Sequence, residues 1–361
     1  MSRQVAVASS SVVATDAATE IIELGGNAVD AAVAAAFVSI NTEPGVCALA
    51  GGAYITLWAP DADPVCIDGY ARIPGLGASS DRPAVPVPVH MEYGGGVTTH
   101  VGAGSVAVPG TPAALSLLHE RYGQLPWRTC LGPAIRICRK GFPLPKACRH
   151  YLEYSGTTIF GRSEVGFSAL HPDGEHLAQA GERIVVEGLA DTLETLADEG
   201  VASFYHGAIG HAIVQHIQAH GGYMTPQDLE SFSPVVYRAR EYRLGEWTLA
   251  LPPPPSIGGS VLGAMLQLVE SGIDPVESMY RCLHYRRENI DFAEDLSAAS
   301  AALLDGVLEH ELARFGSANT VHSSAADTDG LACAITASAG YGCGEIPRGT
   351  GLWLNNCLGE F

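Results

Sequence analysis

The residues with the clearest capacity for chemistry are Asn319 and Thr320, at the head of a segment that is predicted to be a β-strand. A threonine hydroxyl is a weak nucleophile unless a base lies beside it. One solution is to make the threonine the first residue of its own chain, so that its α-amine serves as the base. This would require cleavage of the backbone directly before Thr320. Since a threonine at the start of a strand is often only a β-former, the pattern makes Thr320 a candidate nucleophile and no more.

The element that must position Thr320 is a predicted β-hairpin. Two extended runs, TVHSSAAD (320–327) and LACAITASA (331–339), flank a turn that ends at Gly330. The patterning of 105–235 and 277–315 is mostly helical. We therefore expect an α+β protein with a β-rich C-terminal part. No internal repeat and no break in composition marks a domain boundary.

Cap residues delimit two helices near the start of the chain. The helical spacing of 14–24 ends at Gly25-Gly26, which is a typical C-terminal stop. Asn27 can then cap a second helix, AVDAAVAAAFVSI, whose small side chains suggest close packing against a sheet. The runs AYITLW (53–58) and PVCID (64–68) are predicted to be buried strands.

Two other groups of polar residues compete for a functional role. Thr98-Thr99-His100 lies in the Pro- and Gly-rich stretch 83–104, which we interpret as a loop. His216 and His220 are four residues apart on a predicted helix, a spacing that can share a metal ion. No H-E-x-x-H pattern accompanies them and carboxylates are not concentrated nearby. We therefore expect solvated helix histidines, with no metal and no cofactor.

Composition limits the kind of partner. The chain has 361 residues, is 47% hydrophobic and carries a formal net charge of -19. So acidic a chain repels phosphate backbones, and nucleic acid is not expected as a partner. No apolar run is long enough to span a membrane, and the N-terminus has no secretory pattern. With nine scattered cysteines, these features favour free thiols and a cytoplasmic location.

Several separate segments together resemble the γ-glutamyltransferase family. The first is GGNAVDAAVAAAFVSINTEPGVCALAGGAYITLW (25–58), and the last two are NTVHSSAADTDGLACAITASAGYGCG (319–344) and GLWLNNCLGEF (351–361). Between them, the matching segments are 105–127, 132–144, 193–229 and 252–259. The resemblance is ordered and spans nearly the whole chain.

This resemblance implies an N-terminal-nucleophile hydrolase with a four-layer αββα fold. It implies autocatalytic cleavage into a large-subunit region, 1–319, and the start of a small-subunit region, 320–361. Thr320 would then attack a γ-glutamyl amide such as glutathione, with transfer to water or to an amine acceptor. Ser338 falls where the family has a hydroxyl residue that supports the nucleophile. The implied partners are this small molecule, the acceptor and the protein's own small subunit.

The chain departs from the family pattern around the substrate. The family's Thr-Thr-His at the cut is here Thr320-Val321-His322, and Asn319, Thr320 and His322 are the implied processing residues. In the family an arginine holds the substrate α-carboxylate, and Tyr70 stands at that position here. Arg72, two residues later, would point to the same face of a strand and is the candidate to substitute for it. Glu360 stands where an aspartate reads the substrate amine.

Two further positions differ, and so does the end of the chain. A glutamine is replaced by Cys357 and a substrate-contacting asparagine by Gly340. Family small subunits continue beyond the position of Phe361, with serines that hold the substrate and glycines that form the oxyanion hole. Three hypotheses follow: a γ-glutamyltransferase-like enzyme, a truncated non-catalytic remnant or fragment, and a cephalosporin-acylase-like amide hydrolase with altered acyl specificity.

Overall fold

The computed structural model describes residues 3–78, 84–305 and 320–360. Within these ranges the strands are β1 (Val5–Ser9), β2 (Gly52–Trp58), β3 (Val65–Gly69), β4 (Val87–Met91), β5 (Val97–Val101), β6 (Phe142–Pro143), β7 (Arg183–Ile184), β8 (Val235–Arg238), β9 (Arg240–Leu244), β10 (Trp247–Leu251), β11 (Val321–Asp327) and β12 (Ala332–Ser338). The α-helices are α1 (Val12–Glu23), α2 (Ala28–Thr42), α3 (Thr111–Tyr122), α4 (Trp127–Lys140), α5 (Lys146–Ser155), α6 (Glu164–Leu170), α7 (Leu189–Glu199), α8 (Ala202–Tyr205), α9 (Ala208–Ala219), α10 (Pro226–Glu230), α11 (Ile257–Glu270), α12 (Pro275–Asn289) and α13 (Leu296–Leu304). None of the helices described here is both long and apolar enough to cross a bilayer.

The chain divides into two compact units. The first comprises residues 1–53, 69–234 and 316–361, and the second comprises 54–68 and 235–315. No break in composition marks the boundary at residues 53–54, which falls inside an ordinary element and not in a linker. One crossing falls within strand β2.

In the first unit, helix α2 packs against strands β1, β11 and β12, which are neighbours in that order and pair antiparallel. β11 is the central strand of the three. Every residue of α2 is buried, and its alanines let the helix lie close to the strands. The side chains that face it from β11 are small, with Val321, Ser323 and Ala325 all buried. The predicted hairpin and its close helix are thus confirmed.

The N-terminus of α2 is fixed by a capping box. Asn27 Oδ1 accepts the backbone N–H of Asp30, and the Asp30 carboxylate accepts the N–H of Asn27, each at 3.0 Å. Asp30 also accepts the backbone N–H groups of Gln124 and Leu125. An N-cap side chain is typically worth about 1 kcal/mol, and here the same carboxylate joins α2 to the segment before α4.

The second unit contains β2, β3 and β8 in that order, the hairpin β9–β10, and helices α11 to α13. A small apolar core holds the three helices together, formed by the buried residues Val261, Ala264, Cys282, Ile290 and Leu303. The segment before the prolines at 252–255 is a hairpin, because Gly245 adopts a positive φ of 56° and reverses the chain.

The prediction that residues 83–104 form a loop is wrong. Strands β4 and β5 pair in antiparallel register there, from Val87 opposite Val101 to Met91 opposite Val97. Three consecutive glycines, 94–96, all have positive φ values and form the turn. The prolines and glycines that suggested a loop lie at the start and the turn of the hairpin, where they do not interrupt the pairing.

Candidate active site

Thr320 lies directly before β11 and its side chain is exposed. The pairing of β11 with β12 places Val321 opposite Ala337 and His322 opposite Thr336. Continuing this register by one residue puts Thr320 opposite Ser338, the last residue of β12. Asn319 lies outside the described residues. The hairpin therefore brings the candidate nucleophile and its predicted supporting hydroxyl residue to the same end of the sheet.

His322 lies on the same face of β11 as Thr320, because alternate residues of a strand share a face. Its Nδ1 is 2.8 Å from Thr336 Oγ1 on the neighbouring strand. Burial of the ring lowers the pKa of His322 from its ordinary value, which favours the neutral imidazole. Val321 points to the opposite, buried face, 2% exposed, towards α2. A hydroxyl at position 321 would therefore lie on the face away from Thr320.

Ser338 leads into a tight turn at Gly340. The Gly340 N–H donates to Ser338 Oγ at 3.2 Å. Gly340 has a φ of 66°, and a Cβ at this position would lie 2.4 Å from Asn356 Oδ1 and 2.9 Å from the carboxyl carbon of Glu360. Only glycine fits both the conformation and the space. The absence of a side chain at Gly340 thus allows Glu360 to lie against the end of β12.

Glu360 is largely enclosed. Burial raises the pKa of its carboxyl to about 7, because the charged form loses its hydration. The carboxyl lies close enough to Tyr341, which is itself buried, to help raise the pKa of that phenol. Near neutral pH, Glu360 is therefore poised between a neutral acid and a carboxylate, and a cation beside it would favour the ionised form.

Tyr70 is connected to Glu360 through the side chain of Cys357. Its hydroxyl is hydrogen-bonded to the Cys357 thiol, and Cys357 is electrostatically coupled to Glu360. Arg72 is held by backbone pairing with Val108, and its Nη1 donates to the Tyr70 carbonyl at 3.3 Å. Tyr70, Gly340 and Glu360 are thus brought together around Cys357, and Arg72 is attached to the same segment as Tyr70.

Two buried asparagines, which the sequence analysis passed over, hold the segment that carries Glu360. Asn355 donates to the carbonyls of Ala50 and Ala107 and accepts the N–H groups of Ala107 and Cys357. Asn356 Oδ1 accepts the N–H of Tyr341 at 2.7 Å. The only available signal was the dipeptide itself: adjacent asparagines within the apolar run LWLNNC must be satisfied by hydrogen bonds if they are buried.

The segment Thr98-Thr99-His100 contributes to the same support. Thr99 is buried and its hydroxyl donates to the Gly359 carbonyl at 2.9 Å. Asn356 Nδ2 donates in turn to Thr99 Oγ1 at 2.9 Å, and the His100 N–H donates to the Gly359 carbonyl. This segment is strand β5, and its role in the structure is to fix the backbone next to Glu360.

The three side chains Asp30, His119 and Cys130 lie close enough to share a metal ion, with their ligand atoms within 4.8 Å of one another. Their contacts have a structural explanation. Asp30 is occupied by backbone N–H groups, and His119 Nε2 is 2.9 Å from the Leu125 carbonyl, to which it must donate. Burial and Asp30 together raise the pKa of the Cys130 thiol, which keeps it protonated.

The expectation that His216 and His220 are both solvated is wrong for His216. Its ring is mostly buried, and Nε2 is 3.0 Å from Glu345 Oε2. The hydrogen bond from His216 lowers the pKa of the Glu345 carboxyl. No local sequence pattern indicates this partner, because Glu345 lies 129 positions from His216 in the chain.

The γ-glutamyltranspeptidase family model matches residues 14–293, which is more than half of the chain. The chain belongs to the γ-glutamyltranspeptidase family. This is a family of acyltransferases and hydrolases that act on γ-glutamyl compounds.

Curated relatives are similar to this chain over nearly its whole length, in agreement with this assignment. The glutathione hydrolase proenzyme of Escherichia coli (strain K12) is 27% identical over 99% of this chain and 67% of its own length. The chain spans about two thirds of the length of the curated relatives that it matches.

Solved structures show the same α+β fold. A γ-glutamyltranspeptidase from Pseudomonas nitroreducens, complexed with L-DON, is 27% identical, with a TM-score of 0.67 over 83% of this chain and 90% of that one. A cephalosporin acylase from Bacillus halodurans, 24% identical, has a TM-score of 0.75 over 98% of this chain and 69% of that one. The expected N-terminal-nucleophile hydrolase fold is therefore confirmed.

Proposed function

We propose that Thr320 is the nucleophile of a γ-glutamyltransferase or glutathione hydrolase activity and that the chain cuts itself between Asn319 and Thr320. The observation that carries the proposal is the register of the β11–β12 hairpin. In this register Thr320, exposed directly before β11, lies across from Ser338; Gly340 donates to Ser338 and lies against the carboxyl of Glu360. The proposed roles of these residues come from the family resemblance, and this arrangement supports them.

The reaction would proceed in two steps. The free α-amine of Thr320 takes the hydroxyl proton while Oγ1 attacks the amide carbonyl, and the C–N bond breaks as the leaving amine takes up the proton. Water or an acceptor amine then attacks the resulting ester and regenerates the threonine hydroxyl. Ser338 would support the hydroxyl of Thr320, and Glu360 would hold the ammonium group of the γ-glutamyl donor.

The two products of cleavage, 1–319 and 320–361, would remain associated. Strand β1 of the first piece pairs with β11 of the second over five residue pairs, from Val5 opposite Asp327 to Ser9 opposite Ser323. The buried face of β11 also packs on α2. The proposed partner of the large piece is thus its own small piece.

Denaturing electrophoresis of the purified chain tests the processing step. Wild type should convert into pieces of 319 and 42 residues, the latter being 320–361. Thr320→Ala should remain intact under the same conditions, whereas Thr98→Ala should be processed like wild type. A wild-type chain that stays intact, or a Thr320→Ala chain that is still cut, would reject autocatalytic cleavage at this position and favour a non-catalytic remnant.

One observation favours a second candidate, an amide hydrolase with altered acyl specificity. Tyr70 stands at the position where the family resemblance places an arginine. Its hydroxyl is hydrogen-bonded to Cys357, beside Glu360. A phenol offers a neutral donor where an arginine would offer a paired cation, so an acyl group such as glutaryl, which lacks the amine and the α-carboxylate, is a candidate. Rates with γ-glutamyl and glutaryl anilides distinguish the two, and a strong γ-glutamyl preference rejects this second candidate.

We further propose the cytoplasm as the location of the protein. The nine cysteines lie buried as free thiols, which suits a reducing compartment. Fractionation of cells that express the full gene product tests this, and recovery outside the cytoplasm would contradict it.

A further inference from the structure

A cleft of about 890 Å³ lies in the first unit and shares no lining residue with the group around Glu360. Its floor includes His216 and His220 from the end of helix α9 and Glu345 from the segment after β12. Ligand sites in proteins are typically clefts of about 300–1,000 Å³ with a few convergent polar groups. The size and lining of this cleft therefore suit a binding site.

The pair of His216 and Glu345 already has the spacing of two neighbouring metal ligands. Their Nε2 and Oε2 atoms are 3.0 Å apart. A metal ion about 2.0–2.2 Å from a histidine nitrogen and from a carboxylate oxygen holds those two ligands roughly 3 Å from each other. The side chains are 15% and 17% exposed, so the pair is sheltered but open to the cleft.

His220 lies next to this pair, but in this structure no choice of ligand atoms brings His216, His220 and Glu345 all within 4.8 Å of one another. Its ring lies 4.2 Å from that of His216, centroid to centroid, with the planes 30° apart. Its Nδ1 is 2.8 Å from the His216 carbonyl, so Nδ1 carries the proton and Nε2 is the nitrogen with the available lone pair. Histidines that bind metals commonly donate their other N–H to a backbone carbonyl in this way. Because His220 is exposed, we expect its side chain to change rotamer towards Glu345 when a metal ion binds.

We propose that His216, His220 and Glu345 form a binding site for a divalent transition metal ion such as Zn²⁺. Two imidazoles and one carboxylate are a preferred ligand set for this ion, and the cleft leaves a fourth position open to water or a small ligand. The carboxylates of Glu164 and Glu187 also line the cleft and offset the guanidinium groups of Arg162 and Arg348. The site is separate from the proposed nucleophile and does not depend on the function of Thr320.

Titration calorimetry of the tag-free full chain with Zn²⁺ alone tests the proposal. Wild type should bind one ion saturably, and His220→Ala and Glu345→Gln should each weaken binding by at least about tenfold, as ligand loss does. His220 is exposed, so its replacement leaves the fold intact, which thermal denaturation without metal should verify. His216→Ala should also weaken binding, and Co²⁺ should give the absorption of a tetrahedral site in wild type but not in these three ligand variants.

Two matched controls separate this site from other histidines and thiols. His211→Ala changes an exposed histidine on the same helix, and Cys130→Ser removes the thiol of the Asp30 cluster. Both should bind Zn²⁺ as wild type does. The proposal would be overturned if wild type showed no saturable binding, or if His220→Ala and Glu345→Gln bound Zn²⁺ as tightly as wild type. Loss of binding in Cys130→Ser alone would also overturn it.

Discussion

The pattern Thr-x-His occurs twice on strands of this protein, at 98–100 and at 320–322, with opposite consequences. In the first, Thr98 is the counterpart of Thr320, and it lies inside β5 with its hydroxyl 3.0 Å from His90 Nδ1. The middle residue, Thr99, is buried and its hydroxyl is committed to Gly359 and Asn356. Thr320, in the second, is exposed at the beginning of its strand. The same residue types therefore act as a fixed support in one hairpin and as the proposed nucleophile in the other. Position in the sheet, not residue type, makes the difference.

The largest expected effect is a difference in catalytic activity between variants of Thr320 and of Thr98. Thr320→Ala should lower turnover of a γ-glutamyl anilide by about 10⁶-fold, the scale seen when a nucleophile is removed. Thr98→Ala, at an exposed position of β5, should retain turnover within about twofold, because such surface changes are usually small. Steady-state assays of both purified variants measure this, and equal losses would remove the distinction between the segments.

Gly340→Ala should damage the link between the hairpin and Glu360. The new Cβ would lie 2.4 Å from Asn356 Oδ1, and the left-handed φ of 66° is strained for alanine. We expect a loss of stability of about 1–3 kcal/mol and a raised KM. Urea denaturation and steady-state kinetics check both. Gly174→Ala, also at a positive φ but with open space around its Cβ, is the matched control and should leave KM unchanged.

Thr99→Val tests the supporting role of the first segment. Valine fills the same space but leaves the Gly359 carbonyl and the Asn356 amide each short of one bond. A buried unsatisfied group costs about 1–3 kcal/mol, so the variant should unfold at lower urea concentration. Processing at Thr320 should persist. An unchanged urea midpoint would show that this hydroxyl is not a support.

The smallest expected effect is a pH dependence. Burial holds the pKa of Glu360 at about 7, above its ordinary value of 4.5, so the folded chain binds this proton more tightly than the unfolded chain. Stability contributed by the neutral form is therefore present at low pH and is lost as the pH rises towards 7. Glu360→Gln should lack this loss. Urea midpoints at pH 5 and pH 8 for both proteins measure it, and parallel changes would contradict it.

The hairpin that carries Thr320 and the capped helix α2 could be predicted from the sequence, because local signals determine both. Alternating small residues around Asp327–Gly330 define the hairpin, and Asn27 with Asp30 defines the helix start. Strands β4 and β5 could not be predicted because their prolines and glycines have the composition of a loop.

The contacts of the site could not be predicted from the sequence, for a different reason. Asn356 and Thr99 are 257 positions apart, and His216 and Glu345 are 129 apart. No local pattern encodes a contact between such distant residues. The resemblance to a family indicated which residues to examine, but only the folded chain shows that Tyr70 reaches Glu360 through Cys357.

The most direct test of the account is to trap the acyl group on the protein. Purified, processed chain is mixed with a γ-glutamyl anilide, quenched in acid within one turnover, digested and examined by mass spectrometry. The account predicts a γ-glutamyl ester on the peptide that begins at Thr320, and none on the peptide that contains Thr98 and Thr99. An acyl group on any other residue, or a processed chain that never carries one while it releases aniline, would contradict Thr320 as the nucleophile.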